Sequence, residues 1–329
     1  MRKYVVKRIL LSVVILLCVT FIIYGLLRCL PSSYVENMAM QLSSKPGAKS
    51  YDEWLTQLNA SYGLDKGIVP GFFTWLGDAV RGQFGDSWKY TVPVTQKFSE
   101  TIWLSFVMGL ISFVLELVIA IPLGIIAATK QYSRADYAIT TFSLIGISLP
   151  TFFFATLLKL FFSVKLGWFD LYGLVGRNYA QLSTWGQFWD KANHLVLPIV
   201  TLVIVSVGSL MRYTRTNMLE VLNADFIRTA RAKGLPERSV IWKHALRNAV
   251  LPVVTMAGLQ MGYLLSGAIM VETVFSWPGL GQLAFESILR RDTPTILGIL
   301  FFSTFMVIAA NLLTDFACRL LDPRIRAER

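Results

Sequence analysis

The chain has 329 residues, 54% hydrophobic and 16% charged, against roughly 25% charged in soluble domains. So apolar a composition excludes an ordinary soluble domain and points to an integral membrane protein. A formal charge of +11 fits nucleic acid, an anionic membrane surface or positive-inside topology, and the placement of the basic residues decides among them.

A spanning helix needs about 20 mainly apolar residues. Six stretches qualify: Ile9 to Leu30, Ile102 to Ala128, Tyr137 to Val164, Leu195 to Met211, Ala249 to Val271 and Thr295 to Cys318. The first follows the basic start MRKYVVKR and resembles a signal peptide. Its apolar run exceeds the roughly 7 to 15 residues of a signal core, and no small-x-small cleavage site follows, so an uncleaved span is expected. Leu26-Leu27-Arg28-Cys29 mimics a lipoprotein box, but the bulky Arg28 beside the cysteine argues against processing. Cys18, Cys29 and Cys318 give no disulfide framework, because the segments expected outside the membrane contain none of them. His194 and His244 lie fifty positions apart, without metal-ligand spacing, so no metal is expected.

Six spans put both termini on one side. Segments 1–8, 130–136, 212–248 and 319–329 hold 18 of the 31 Lys and Arg within 63 positions, which places both termini in the cytoplasm. The expected organisation is therefore a cytoplasmic start and first span (1–30), a small extracytoplasmic domain (31–100) and a core of five spans (101–318). A cytoplasmic loop (212–248) lies within that core, and a cytoplasmic tail (319–329) follows it. The external region carries Tyr51, Trp54, Tyr62, Phe72, Phe73, Trp75, Phe84 and Trp88, which suit amphipathic helices packed on the membrane or on each other; partner docking is the alternative.

No internal repeat is evident, which weakens an inverted-repeat secondary transporter. Pro122, Pro150, Pro198 and Pro252 fall inside spans, where they kink or end helices. Gly258, Gly262 and Ser266 recur every four residues, a small-xxx-small packing face.

Glu116 lies near the middle of the second span, where a carboxylate marks a polar site by default. Lys159, on the third span, differs from it in depth by roughly 13 Å at 1.5 Å per residue, which argues against a direct pair. Glu116 is expected to face protein or a watery cavity. Trp277-Pro278-Gly279-Leu280-Gly281 reads as an external turn before a short amphipathic helix, Gln282 to Leu289, and suits either a plain connection or an external gate at Trp277, Pro278 and Gly279. Asp292 or Thr293 then caps the last span, with Pro294 in its first turn.

The segment FIRTARAKGLP, Phe226 to Pro236, interrupts two apolar blocks. Asn217 to Lys233 are good helix formers, Gly234 supplies a left-handed stop, and Pro236 starts a second helix running to Leu246. A basic helix pair of this kind can read DNA, but tethering between two spans denies it a major groove. Topology alone explains Arg228, Arg231, Lys233 and Arg238. It does not explain Phe226, Ile227, Leu235, Ile241 and Trp242 interspersed among them, which suit a knob docked in a partner's groove.

Here the chain resembles the permeases of ABC importers, whose cytoplasmic loop carries E-A-A-x-x-x-G, nine residues and I-x-L-P. Arg228-Thr229-Ala230 stands at the E-A-A positions and Gly234 at the glycine. Arg228 replaces the acid, and His244-Ala245-Leu246-Arg247 stands where I-x-L-P is expected. These departures resemble the peptide/nickel branch, as do Tyr62-Gly63-Leu64-Asp65, Gly82-Gln83-Phe84-Gly85, the run Val271 to Gly281, Arg291-Asp292-Thr293-Pro294 and Leu321-Asp322-Pro323-Arg324.

The resemblance covers nearly the whole chain and is to the B-type permease of oligopeptide, dipeptide or nickel importers. It implies an all-α membrane protein of the type I ABC importer permease fold in the bacterial inner membrane. It also implies a second homologous permease in a heterodimer, an extracytoplasmic solute-binding protein, a peptide substrate and two cytoplasmic ATPase subunits that bind ATP and Mg. Phe226, Arg228, Thr229, Ala230, Arg231, Gly234 and Leu235 would form the ATPase-coupling loop. The chain has no phosphate loop and no Gly-Lys pair, so ATP hydrolysis belongs to those partners and no cofactor is expected here. Its environment is membrane lipid, with no nucleic acid. A channel or secondary transporter is the alternative; the lone Glu116 and the distant histidines form no catalytic constellation.

Overall fold

The structure, a computed structural model, describes residues 2–29, 34–45, 47–61, 64–265 and 268–321. These residues form helices and no strands, with one isolated bridge between Asp86 and Pro93. In chain order the helices are α1 (Arg2–Arg28), α2 (Tyr34–Ser43), α3 (Tyr51–Ser61), α4 (Ile68–Val80), α5 (Val94–Thr129), α6 (Arg134–Ser148) and α7 (Thr151–Leu158). There follow α8 (Thr184–Leu222), α9 (Asp225–Ala232), α10 (Glu237–Ser239), α11 (Leu246–Leu265), α12 (Ile269–Phe275), α13 (Leu280–Arg290) and α14 (Thr293–Leu321). Wider π-helical turns continue α7 over Lys159–Lys165 and join α10 to α11 over Val240–Ala245.

Among the described residues, four helices are long and apolar enough to cross a membrane: Val6–Arg28, Val94–Thr129, Thr184–Leu222 and Thr293–Leu320. The expected third span differs from a single rod. α6 and the α7 segment meet at 104°, and counting the bent pair as one span gives five. Pro150 is the cause: it bars helical geometry from the preceding residue, and Leu149 is extended at φ −82°, ψ 128°. Pro122, Pro198 and Pro252 stay inside α5, α8 and α11. The expected fifth span is divided between α11 and α12, and residues 266 and 267 lie outside the described residues. The count of six spans is therefore not reproduced among the described residues.

Contacts group the chain into two units, Met1–Trp103 with Gln282–Phe305, and Leu104–Gly281 with Met306–Arg329. These follow packing, whereas the segments read from the sequence follow the sides of a membrane, so their boundaries differ.

In the first unit, α2 and α3 pack through Val35, Ala39 and Leu58 around Trp88, with Trp54 and Leu64 at the margin. Tyr24, Phe72 and Leu297 form a second cluster with Trp75. The aromatics of 31–100 thus largely serve packing, although Tyr51 and Phe73 are exposed; Tyr62 and Gly63 lie outside the described residues.

Asp292 is fully buried at the head of α14 and accepts hydrogen bonds from the Ser87 hydroxyl, the Trp88 amide at 3.0 Å and the Thr295 hydroxyl at 2.8 Å. Its side chain thus ties the head of α14 to the distant loop at Ser87 and Trp88. Asp292→Ala would leave buried donors unpaired and is expected to destabilise this unit by about 3 kcal/mol, read as a lowered thermal midpoint of the purified chain.

Nearby, the ammonium of Lys89 donates to Glu286, and the Tyr90 hydroxyl donates to the same carboxylate at 2.9 Å. The Lys89 hydrogen bond holds Glu286 below its ordinary value of 4.5. Burial pulls Lys89 down, but its bonds to Glu286 and Tyr90 outweigh this and raise it above 10.5. The depressed acid contributes stability above its unfolded value and loses it as pH falls through the folded one. The raised base contributes below its unfolded value and loses it as pH rises through the folded one. The tie is therefore expected to hold between those limits and to fail in acid, with hydrogen exchange at residues 87–91 accelerating as Glu286 protonates.

The second unit is organised on α8, the most enclosed of the four long apolar helices. α6, α7, α11 and α12 pack against it, and its Val207, Leu210 and Met211 join Met108, Val253, Val271 and Phe275 in one core. α11 meets α14 on its small-residue face: a Cβ at Gly258 would fall 1.7 Å from Thr314 Oγ1, so only glycine permits this approach. Gly262 lies against Val307 and Ala310, and Ser266 is outside the described residues.

Candidate functional site

The segment around Gly234 is shaped by its own sequence. α8 ends at Leu222, Asn223 and Ala224 turn the chain, and α9 runs for eight residues. The expected helix from Asn217 to Lys233 is therefore two helices, broken where Ala224 becomes extended (φ −71°, ψ 150°). Gly234 takes φ +74°. The Leu235 amide bonds the Ala230 carbonyl at 3.4 Å and the Gly234 amide that of Arg231 at 2.9 Å, a Schellman stop. Arg231 closes the turn with two hydrogen bonds to Glu237, at 2.7 and 3.2 Å. That pairing lowers Glu237 and raises Arg231 relative to their ordinary values. The second helix is not a separate short element, because α10 continues through the π turn into α11.

The two faces of α9 differ. Ile227 and Ala230 are buried with Met218, Val240, Ala245 and Ile125, which fixes the helix to its own unit. Phe226, Arg228, Thr229, Arg231, Gly234 and Leu235 are exposed, as is Trp242. The arrangement is a rigid knob with an apolar and basic outer face.

A second site lies at the turn after α12. Glu272 is fully buried and accepts from the Ser105 hydroxyl at 2.7 Å and the Ala268 amide at 3.2 Å. Ser105 also accepts from the Leu280 amide at 2.7 Å, so the hydroxyl bridges the carboxylate to the turn. Ser276 takes a left-handed conformation (φ 50°), and the Trp277 amide bonds the Glu272 carbonyl at 2.7 Å. A Cβ at Gly279 would lie 2.5 Å from both Glu272 Cδ and Ser105 Oγ, and one at Gly281 would lie 2.9 Å from Glu272 Oε2. The two glycines of Trp-Pro-Gly-Leu-Gly therefore let the backbone close over the carboxylate. Pro278 is exposed, but Trp277 is 2% exposed and packs in the core, so this turn is anchored more firmly than an external loop.

Glu116 is fully buried in the second unit, and among the described residues neither carboxylate oxygen has a hydrogen-bond partner. The Ser206 hydroxyl donates to the Val203 carbonyl at 3.3 Å. Lys159 is not its partner; it donates to the Val274 carbonyl at 2.8 Å and lies over the Tyr172 ring. Asp136, at the start of α6, receives two hydrogen bonds from Arg215 of α8, at 2.8 and 2.9 Å, tying the head of α6 to the later part of α8.

Residues 120–327 match the family described as binding-protein-dependent transport system inner membrane component. That is more than half of the chain. The chain belongs to this family of transport permeases. The permease is 37% identical to the oligopeptide transport system permease protein AppB of Bacillus subtilis over 326 residues, 99% of each chain. It is 34% identical to the dipeptide transport system permease protein DppB of Escherichia coli over 345 residues, spanning the whole of both. Its fold is that of ABC importer permeases: a chain of the methionine transporter MetNI in an inward-facing conformation matches with a TM-score of 0.54 at 18% identity, over 69% of the permease and 97% of that chain. The family is one of transport components, not of enzymes.

The permease places Phe226 to Leu235 together in one knob, whereas Glu116 and the Trp277 turn are separate sites within the second unit. Glu272 and Ser105 escaped the sequence reading, since a carboxylate inside Val271 to Gly281 looked like part of a motif and its serine partner lies 167 positions away. The Asp136–Arg215 pair escaped it because Arg215 was counted only towards topology and Asp136 lies 79 positions away.

Proposed function

We propose that this permease forms half of the translocation pathway of an ATP-driven peptide importer. It pairs with a second homologous permease, receives substrate from an extracytoplasmic binding protein, and is driven by two cytoplasmic ATPases that bind ATP and Mg. Both termini and the Gly234 knob face the cytoplasm of a bacterial inner membrane, and segment 31–100 lies outside. The peptide substrate follows the named activities of the oligopeptide and dipeptide relatives.

The observation that carries the coupling role is the two-faced α9, locked inward by Ile227 and Ala230 while Phe226, Leu235 and Trp242 stay exposed beside Gly234. A knob held rigidly on one side transmits motion to the helices behind it, provided that nucleotide states bind the permease conformations with different affinity. Trp277, Pro278 and Gly279 are assigned to the external gate and Glu116 to a polar site within the bundle. Co-purification of the tagged chain tests the reading: ATPase and second-permease subunits should accompany it, and loaded binding protein should stimulate hydrolysis. A stable complex lacking any ATPase would defeat it.

A further inference from the structure

The segment between the π turn of α7 and the head of α8 carries a cluster outside the sites above. His194 and Asp190 stand one turn apart on α8, and Asp170 approaches from the preceding loop. The His194 side chain is 2% exposed. Its Nδ1 lies 2.7 Å from the Asp190 carbonyl oxygen, which can only accept, so Nδ1 carries the hydrogen and Nε2 is the nitrogen left to offer a lone pair to a ligand. Nε2 is buried with no hydrogen-bond partner among the described residues, and it faces Asp170 Oδ2 at 3.3 Å.

One ligand atom from each of Asp170, Asp190 and His194 falls within 4.8 Å of the others. Gly176 closes over them: its amide donates to Asp190 Oδ2 at 2.8 Å, and a Cβ there would sit 2.7 Å from Asp190 Oδ1 and 3.3 Å from Asp170 Oδ2. Among the described residues neither carboxylate pairs with Lys or Arg. The neighbouring Lys191 lies over the Tyr179 ring instead, 5.2 Å from its centre.

Two carboxylates and a buried ring nitrogen thus lie close enough together to share one cation, which would also offset the repulsion between the two acids. A proton on Nε2 would give a charge-assisted bond of about 2.7 to 2.9 Å, shorter than the separation here. Two ligands held at about 2.0 to 2.1 Å from a tetrahedral ion stand ~3.3 Å apart, which matches it. A ring N–H given to a carbonyl is also the outer hydrogen bond that orients metal-binding histidines.

We propose that Asp170, Asp190 and His194 bind a divalent cation of the zinc class through one ring nitrogen and two carboxylate oxygens, with a fourth position open to water or another ligand. The ion would clamp the loop to the head of α8, the helix whose other end leads into α9. This inference does not depend on the transport reading. The signal in the sequence is Asp190-Lys-Ala-Asn-His194, an i, i+4 pair on one helix face, which comparing only the two histidines passed over.

The test uses the purified full-length chain, stripped with chelator and titrated with Co²⁺ as a spectroscopic probe. Stoichiometric binding with visible d–d bands, displaced by Zn²⁺, is expected. Asp170→Asn and His194→Gln should each weaken Co²⁺ binding at least tenfold. Asp170 is 55% exposed, so its variant should fold and decides the matter if the His194 variant does not. Absence of the bands from the folded wild-type chain would overturn the proposal, as would undiminished Co²⁺ affinity in Asp170→Asn. So would proof that a proton alone holds the loop, seen as metal-independent protection that disappears when the histidine is deprotonated.

Discussion

Gly279→Ala is expected to remove most transport activity and at least about 3 kcal/mol of stability, although it adds a single methyl group. That methyl would sit 2.5 Å from Glu272 Cδ and Ser105 Oγ, closer than non-bonded atoms come, and both are held by the hydrogen bonds that bury the carboxylate. Either the turn opens or the carboxylate leaves its donors, and each bond lost to a charged group costs about 1.5 to 3 kcal/mol. Gly234→Ala is the matched control. Nothing lies within 4 Å of a Cβ there, so its cost is the left-handed backbone at φ +74°, about 1 kcal/mol. Uptake in cells and thermal unfolding of the purified chain would report both. Wild-type melting of the Gly279 variant would mean that Glu272 is not clamped as described.

The second large effect is expected at α9 and should divide by face. Ile227 is fully buried, and Ile227→Ala should cost about 2 to 5 kcal/mol of stability. Phe226, one residue earlier, is 46% exposed, so Phe226→Ala should leave stability within about 0.5 kcal/mol while weakening ATPase association tenfold or more. A tenfold loss corresponds to about 1.4 kcal/mol of binding. Gly234→Asp combines the backbone penalty with a charge in the joint; it should assemble yet hydrolyse ATP without matching uptake. Subunit pull-down and substrate-stimulated hydrolysis separate these outcomes. Normal uptake by Gly234→Asp, or equal ATPase binding by Phe226→Ala, would count heavily against the knob as a lever.

The sequence by itself determined the membrane class, the helical fold and the family, because apolar runs, turn residues and motif wording are local or additive properties of the chain. It also located the left-handed stop, since Gly234 with Pro236 two residues on has few alternatives. It did not determine the bend at Pro150, where the same residue type that bends one segment is absorbed inside α5, α8 and α11; packing around each proline makes that choice. Nor could it pair Glu272 with Ser105, Asp136 with Arg215, or Asp170 with His194. Those partners are brought together by helices crossing, and their energies depend on burial and on hydrogen bonds between groups far apart in the chain. The tertiary structure alone decided which face of α9 is anchored and which is free, because that depends on what the rest of the second unit packs against Ile227 and Ala230.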